Sequence, residues 1–230
     1  MNEDRKFPIP MGSQTNAQVQ HGDLAVDQSV VTYIKQVYAL LAASLVVAVA
    51  AGYVGMTLPF PREHPYILMA IALGALFLAM AVKNAATLFL FTGISGLSIG
   101  PIIAIYVGAG LSHIVGQAMF LTGAIFFSLT FYAMTTKKDL SVLSGMAFAG
   151  LIVILVGGLI NLFLHSSAVG FALSAVGALV FSGYILFETQ GLKREPWVVA
   201  PSVAALQMYL NVVNLFLSLL RLLGAIEGKE

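Results

Sequence analysis

The chain has 230 residues, of which 59% are hydrophobic and only 9% charged, with a formal net charge of +1 and no cysteine. A soluble domain carries about a quarter charged residues, so only a bilayer can solvate this much apolar surface, and the expected fold class is an all-α integral membrane protein. The near-neutral charge, without a basic run, excludes nucleic acid as a partner, and the missing cysteines exclude disulfides, thiol nucleophiles and cysteine metal sites.

In chain order, residues 1–30 are polar, carry mixed charge and lack the apolar core of a signal peptide. Without apolar periodicity they read as a disordered tail. A span needs about 20 apolar residues, and seven stretches qualify: 36–57, 65–82, 85–107, 114–134, 141–164, 168–188 and 199–223. The separators PFPREH, KN, GAGLSH, TTKKD, HSS and TQGLKREPW are short, so neighbouring spans are antiparallel in one bundle. The bundle occupies 31–225 and leaves 226–230 as a short C-terminal tail.

Lys35, Lys83, Lys137, Lys138, Lys193 and Arg194 fall on the N-terminal side of the membrane, against Arg62, Lys229 and Arg221 on the other. By the positive-inside rule the N-terminus is cytoplasmic and, after an odd number of spans, the C-terminus lies outside. Trp197 and Tyr106 fall near predicted interfaces. Glycines recur within the spans, among them Gly52, Gly55, Gly96, Gly100, Gly157 and Gly177, where small residues let helices approach closely. Pro101, after Gly100, either breaks the third span, as at transport sites, or merely kinks it.

The seventh span, QMYLNVVNLFLSLLRLLG (207–224), carries Gln207, Asn211, Asn214, Ser218 and Arg221 at intervals of 4, 3, 4 and 3. At about 100° per residue they form a seam within about 80° of arc. Each uncompensated polar group in hydrocarbon costs a few kcal/mol, so the seam faces protein or a wet cavity. The opposite face is wholly apolar, which places this helix among the others. The seam then serves as an ion path or as interhelical glue.

Few ionisable groups reach membrane depth. Glu188 ends the sixth span, Lys83 ends the second, and Asn211 lies about 15 Å into the seventh, counted from Pro201. The three can meet in the inner half of the bundle; alternatively Glu188 and Lys83 are interfacial charges that snorkel to water. His64, His113 and His165 fall on outward-facing loops and His21 in the tail, a pattern of solvated histidines rather than a metal site. No HExxH, Walker, GxSxG or paired-aspartate motif is present, so neither an enzyme nor a cofactor is expected.

The stretches YIKQVYALLAASLVVAVAAGYVG, TTKKDLSVLSGMAFAGLIVILVGGLINLFL, YILFETQ and MYLNVVNLFLSLLRLLG, taken in order, carry a further signal. Over residues 31–225 the chain resembles the Bax-inhibitor family of seven-span membrane proteins, in the bacterial branch that includes the modulator of the FtsH protease. The resemblance implies six helices around a central seventh. It also implies a pH-sensitive calcium leak, or the regulation of cell death or of a membrane protease, in the cell's inner membrane; the polar seam leaves a proton leak open as well. The family's proposed gate is a pair of aspartates on helices six and seven with a basic residue from helix two. Carried over, these fall on Glu188, Asn211 and Lys83; if the seam is a path, its own residues Gln207, Asn214, Ser218 and Arg221 lie along it. Asparagine in place of the second acid removes like-charge repulsion and proton sharing. Any pH gate is then expected to be weaker, or set at lower pH, than in a two-aspartate relative. One carboxylate also serves poorly for calcium, which takes several oxygens. Two roles follow: a regulator of a membrane-anchored AAA protease of the FtsH kind, contacted through the N-terminal tail, or a cation leak with no protease role.

Overall fold

A computed structural model describes residues 12–228 apart from 195 and 197, with side chains from residue 28 onward. Its helices are α1 (Gly12–Thr57), α2 (Phe60–Glu63), α3 (Pro65–Val82), α4 (Ala85–Gly108), α5 (Ser112–Thr135), α6 (Val142–Leu164), α7 (Ser167–Arg194) and α8 (Pro201–Glu227). All but the one-turn α2 are long and apolar enough to cross a membrane, which gives seven candidate spans among the described residues.

The connections show how so little chain reverses direction. Lys83 ends α3 in the left-handed conformation, φ 56°, and the next residue, Asn84, caps α4 by accepting a hydrogen bond from the Thr87 amide at 2.9 Å. One residue to stop and one to start make the KN separator sufficient. His165 ends α6 in the same left-handed way, at φ 49°. Pro65 and Pro201 open α3 and α8 in the first turn, where the missing N–H costs nothing.

Two boundaries differ most from expectation. α1 begins at Gly12, inside the stretch expected to be a disordered tail, whose first eleven residues lie outside those described. Helix formation is costly to nucleate and cheap to propagate, so a span already formed extends backward through a segment free of proline. α7 runs six residues beyond the expected end at 188, so Glu188 lies within the helix. The extra turns bury Thr189, Gln190 and Leu192 against the bundle. Of the two outcomes expected at Pro101, the break does not occur: α4 runs unbroken through it. The carbonyl that this proline leaves unbonded, that of Leu97, abuts Gly55 of α1.

α8 is the most buried of the spans. Leu206, Met208, Tyr209, Leu215 and Leu220 are all fully enclosed. α1, α5 and α7 enclose it, and α3 and α4 touch it, while α6 packs chiefly on α7. The closest helix pair is α1 with α4, which meet through Gly52, Gly55, Gly96 and Gly100; a Cβ added at Gly100 would lie 2.5 Å from the Gly52 carbonyl oxygen. Elsewhere Gly177 admits Ser218, and Gly224 admits the Tyr106 ring. Gly116 and Gly158 have open space around them and serve no such contact. Phe77, Phe120, Phe131 and Phe163 are each more than two-thirds exposed and form part of the apolar surface that lipid covers.

The loop between α5 and α6 is tied to the end of α7. Gln190, buried, accepts from the Leu140 amide at 2.9 Å and donates to the Lys138 carbonyl at 2.8 Å. Arg194 donates to Asp139 Oδ1 at 2.6 Å, and the same oxygen accepts from the Ser141 amide at 2.9 Å. The Ser141 amide first, and then Arg194, hold the Asp139 carboxyl below the usual carboxylate range. A folded-state value below the unfolded one stabilises the fold above the ordinary carboxylate pKa of about 4, and the contribution fades as pH falls through the lower folded value. Asp139→Asn is therefore expected to lower the melting temperature slightly at pH 7, because the pair is exposed and screened. Differential scanning fluorimetry in detergent should show the gap from the parent protein closing below pH 4.

Candidate functional site

The seam on α8 divides into parts with different surroundings. Gln207 is exposed, near the start of the helix, and lines a vestibule of about 170 Å³ together with Tyr33 of α1, Phe187, Glu188 and Gly191 of α7, and Val199 ahead of α8. Tyr33 donates its hydroxyl to the Val199 carbonyl at 3.1 Å, which ties α1 to the segment entering α8. One turn deeper, Asn211 is buried, 5% exposed, and donates from Nδ2 to Glu188 Oε2. Glu188 thus faces the vestibule on one side and the central helix on the other.

Beyond Asn211 the seam closes on itself. Asn214 donates to the Leu210 carbonyl and Ser218 to the Asn214 carbonyl, each at 2.7 Å within α8. Both side chains thereby satisfy themselves in an apolar setting. Leu215 and Leu220, fully buried, flank them. Arg221 is exposed at the far end of α8.

Of the three gate residues anticipated from sequence, the structure brings two together. Glu188 and Asn211 meet, whereas Lys83 is exposed at the end of α3 and, among the described residues, makes no hydrogen bond or ion pair with either. The reason is topological. α3 packs mainly on α4 and barely reaches α8, so its last residue stands off from the central helix. The four-residue spacing of the seam gave no sign of that distance.

Tyr33 and Gln190 were not anticipated. Gln190 stands two residues after Glu188 in the quoted stretch YILFETQ, and a glutamine at a span end was the available signal. Tyr33 opens the quoted stretch YIKQVYALL, but its place just before the first span, expected from 36, hid its part in the site. A polar cluster behind the site also escaped notice: the Tyr38, Thr130 and Thr189 hydroxyls, from α1, α5 and α7, lie together and buried.

Chemically, the site offers one carboxylate, one amide and a route to water through the vestibule. That set can hold or release a proton or weakly bind a cation. It falls short of the six to eight oxygens of a calcium site, and no group of three metal-ligating side chains occurs among the described residues.

A family model described as inhibitor of apoptosis-promoting Bax1 matches residues 30–228. An uncharacterized membrane protein of Vibrio cholerae is 38% identical over 203 residues, covering 86% of this chain and 91% of its own length. The modulator of FtsH protease YccA of Escherichia coli K12 is 34% identical over 197 residues, 83% of this chain and 89% of that one. Mouse protein lifeguard 4 is 29% identical over 209 residues, 86% of each chain.

Proposed function

The chain belongs to the Bax-inhibitor family, and from that premise we propose that it is a non-enzymatic regulator of membrane-protein quality control in the cell's inner membrane. In this reading its N-terminus is cytoplasmic, its partner is a membrane-anchored protease of the FtsH kind, and the contact between Glu188 and Asn211 is a proton-sensitive gate. The observation that carries it is the hydrogen bond from Asn211, on the central helix, to a carboxylate that also lines a vestibule. A charge there is partly desolvated, and gaining or losing a proton changes what it can accept. The contact therefore couples the protonation state of the vestibule to the position of α8. Support for the protease comes from the Escherichia coli relative, itself a modulator of FtsH protease. Support for the orientation comes from the Lys and Arg imbalance between the two sides.

A second reading, a proton or calcium leak with no protease role, is favoured by the vestibule and disfavoured by the self-bonded Asn214 and Ser218 beyond it. Proton and calcium flux into liposomes between pH 5 and 8 tests the gate. Flux that varies with pH in the parent protein and loses that variation in Glu188→Gln is the expected result. A pH profile unchanged by the substitution would remove Glu188 from the mechanism. Deleting residues 1–30 separates the two roles. Flux should survive, while the effect on degradation of a reporter substrate by the FtsH-type protease should disappear. A deletion that leaves protease regulation intact would sink the tail-mediated contact.

A further inference from the structure

A second cavity lies on another side of α8, far larger than the vestibule and of opposite character. α1 and α5 each pack on α8 but scarcely on one another. Between them runs a cleft of about 610 Å³, floored by Val212, Val213 and Phe216 of α8 and by Gly96, Ile99 and Ile103 of α4. At one end the Tyr38 and Phe126 rings close it edge to face, with centroids 6.4 Å apart. Toward the other end it is lined by Tyr53 and Met56 of α1 and Val115 and Met119 of α5. We propose that this cleft is a binding site for one acyl chain of a membrane phospholipid, which enters from the leaflet at the end where α8 terminates.

Four observations support that occupant. The rim is continuous with the lipid-covered surface: Tyr53 is 72% and Phe127 71% exposed, and Val49 and Met119 are also exposed. The lining offers water little to bond: the Thr122 hydroxyl is already donated to the Ala118 carbonyl at 2.7 Å, and the Tyr38 hydroxyl, at the closed end, lies against Thr130 and Thr189, which do not line the cleft. A dry apolar space is filled by hydrocarbon or left empty; a cavity of about 150 Å³ already takes up benzene, and this one is about four times larger. The length also fits. From Val115 to Phe127 the α5 wall runs about 18 Å, against about 15 Å for half the hydrocarbon core. Finally, small residues make the room. A Cβ added at Gly123 meets no atom within 4 Å, so the wall is open where a larger side chain would have filled it.

The chain would rest against Val212 and Val213, the two residues that follow Asn211 on α8. Bound lipid thus becomes a packing partner of the central helix. The inference stands whether or not the vestibule works as a gate.

The test uses the full chain in vesicles of phosphatidylethanolamine and phosphatidylglycerol, doped with phosphatidylethanolamine carrying a diazirine in one acyl chain. After photolysis and digestion, adducts should concentrate on the cleft-facing residues Met119 and Phe126 over the outward-facing Phe120 and Phe131. Gly123→Phe should fill the cleft and reduce those adducts by about ten-fold, equivalent to 1.4 kcal/mol of binding. Gly116→Phe, on the same helix outside the cleft, should leave them unchanged. Adducts spread evenly around α5, or unaltered in Gly123→Phe, would overturn the proposal. So would efficient disulfide dimers of a Met119→Cys variant with loss of the lipid adduct, because a second copy of the chain would then occupy the cleft. The mapping on the parent protein stands alone if Gly123→Phe fails to fold, and the cysteine-free background makes the single thiol unambiguous.

Discussion

Gly96→Ala should lower the melting temperature of the detergent-solubilised protein sharply, and Gly96→Leu should leave little folded protein at all. Position 96 sits where α4 crosses α1, and the Cβ that alanine introduces would be forced into the backbone of Ala48. A flexible side chain could swing aside, but a helix backbone yields only if the whole helix moves. Such a shift would also part Gly100 from Gly52 and Gly55 from Leu97, because all four glycines lie in one seam. Overpacking a well-fitted site costs roughly 1–3 kcal/mol and occasionally more. With about 2–4 °C lost per kcal/mol in a chain of this size, alanine should cost on the order of 5–10 °C. In lipid no hydrophobic force restores the pair, since association rests on close packing. Gly74→Leu is the control, because a Cβ there meets nothing within 4 Å. Equal melting temperatures for the two leucine variants would show that the contact between α1 and α4 is not the tight joint described above.

What could be read from the sequence follows the physics of each signal. Span number and most span ends were legible because hydrocarbon demands long apolar runs and tight turns need few residues, as Lys83 and Asn84 show. The central place of α8 was legible too, because a polar seam opposite an apolar face cannot be exposed to lipid. Glu188 and Asn211 were paired by likeness to a family pattern and are in contact in the structure. The rest depends on tertiary placement that spacing does not encode. Asn214 and Ser218 belong to the same seam as Asn211, yet they bond their own helix, an option open to any short polar side chain four residues from a carbonyl. Lys83 matched the pattern in kind and depth but sits on a helix that hardly reaches α8. The lipid-facing cleft left no mark in the sequence, because a cavity wall and a packed wall use the same apolar residues.

If the contact between Glu188 and Asn211 is the gate proposed above, replacing Asn211 by aspartate should turn a shallow pH response into a steep one. In the parent protein the Glu188 carboxylate accepts a hydrogen bond from a neutral amide. That donor is present at every pH, so the proton only weakens or strengthens the contact, which is tighter to the charged carboxylate, and never breaks it outright. Asn211→Asp is nearly isosteric, and it replaces the donor with a second acceptor. Two carboxylates in direct contact cannot both stay charged in a partly desolvated site; they hold together by sharing one proton and repel when it leaves. The contact between α7 and α8 would then exist only while that proton is bound. A single titrating proton allows a change of at most about ten-fold per pH unit. Liposome flux of the Asn211→Asp variant should approach that slope somewhere between pH 5 and 8, and the parent protein should remain well below it. Glu188→Gln added to Asn211→Asp restores a neutral donor facing a single acid and should flatten the response again. If Asn211→Asp gives the parent profile, the two side chains are not coupled to conduction, and their hydrogen bond is packing between α7 and α8. If the double variant stays as steep as Asn211→Asp alone, the titrating group lies elsewhere. The buried hydroxyls of Tyr38, Thr130 and Thr189, contributed by α1, α5 and α7 beside Glu188, hold no proton that titrates in this range, so the search would move to the other ionisable side chains.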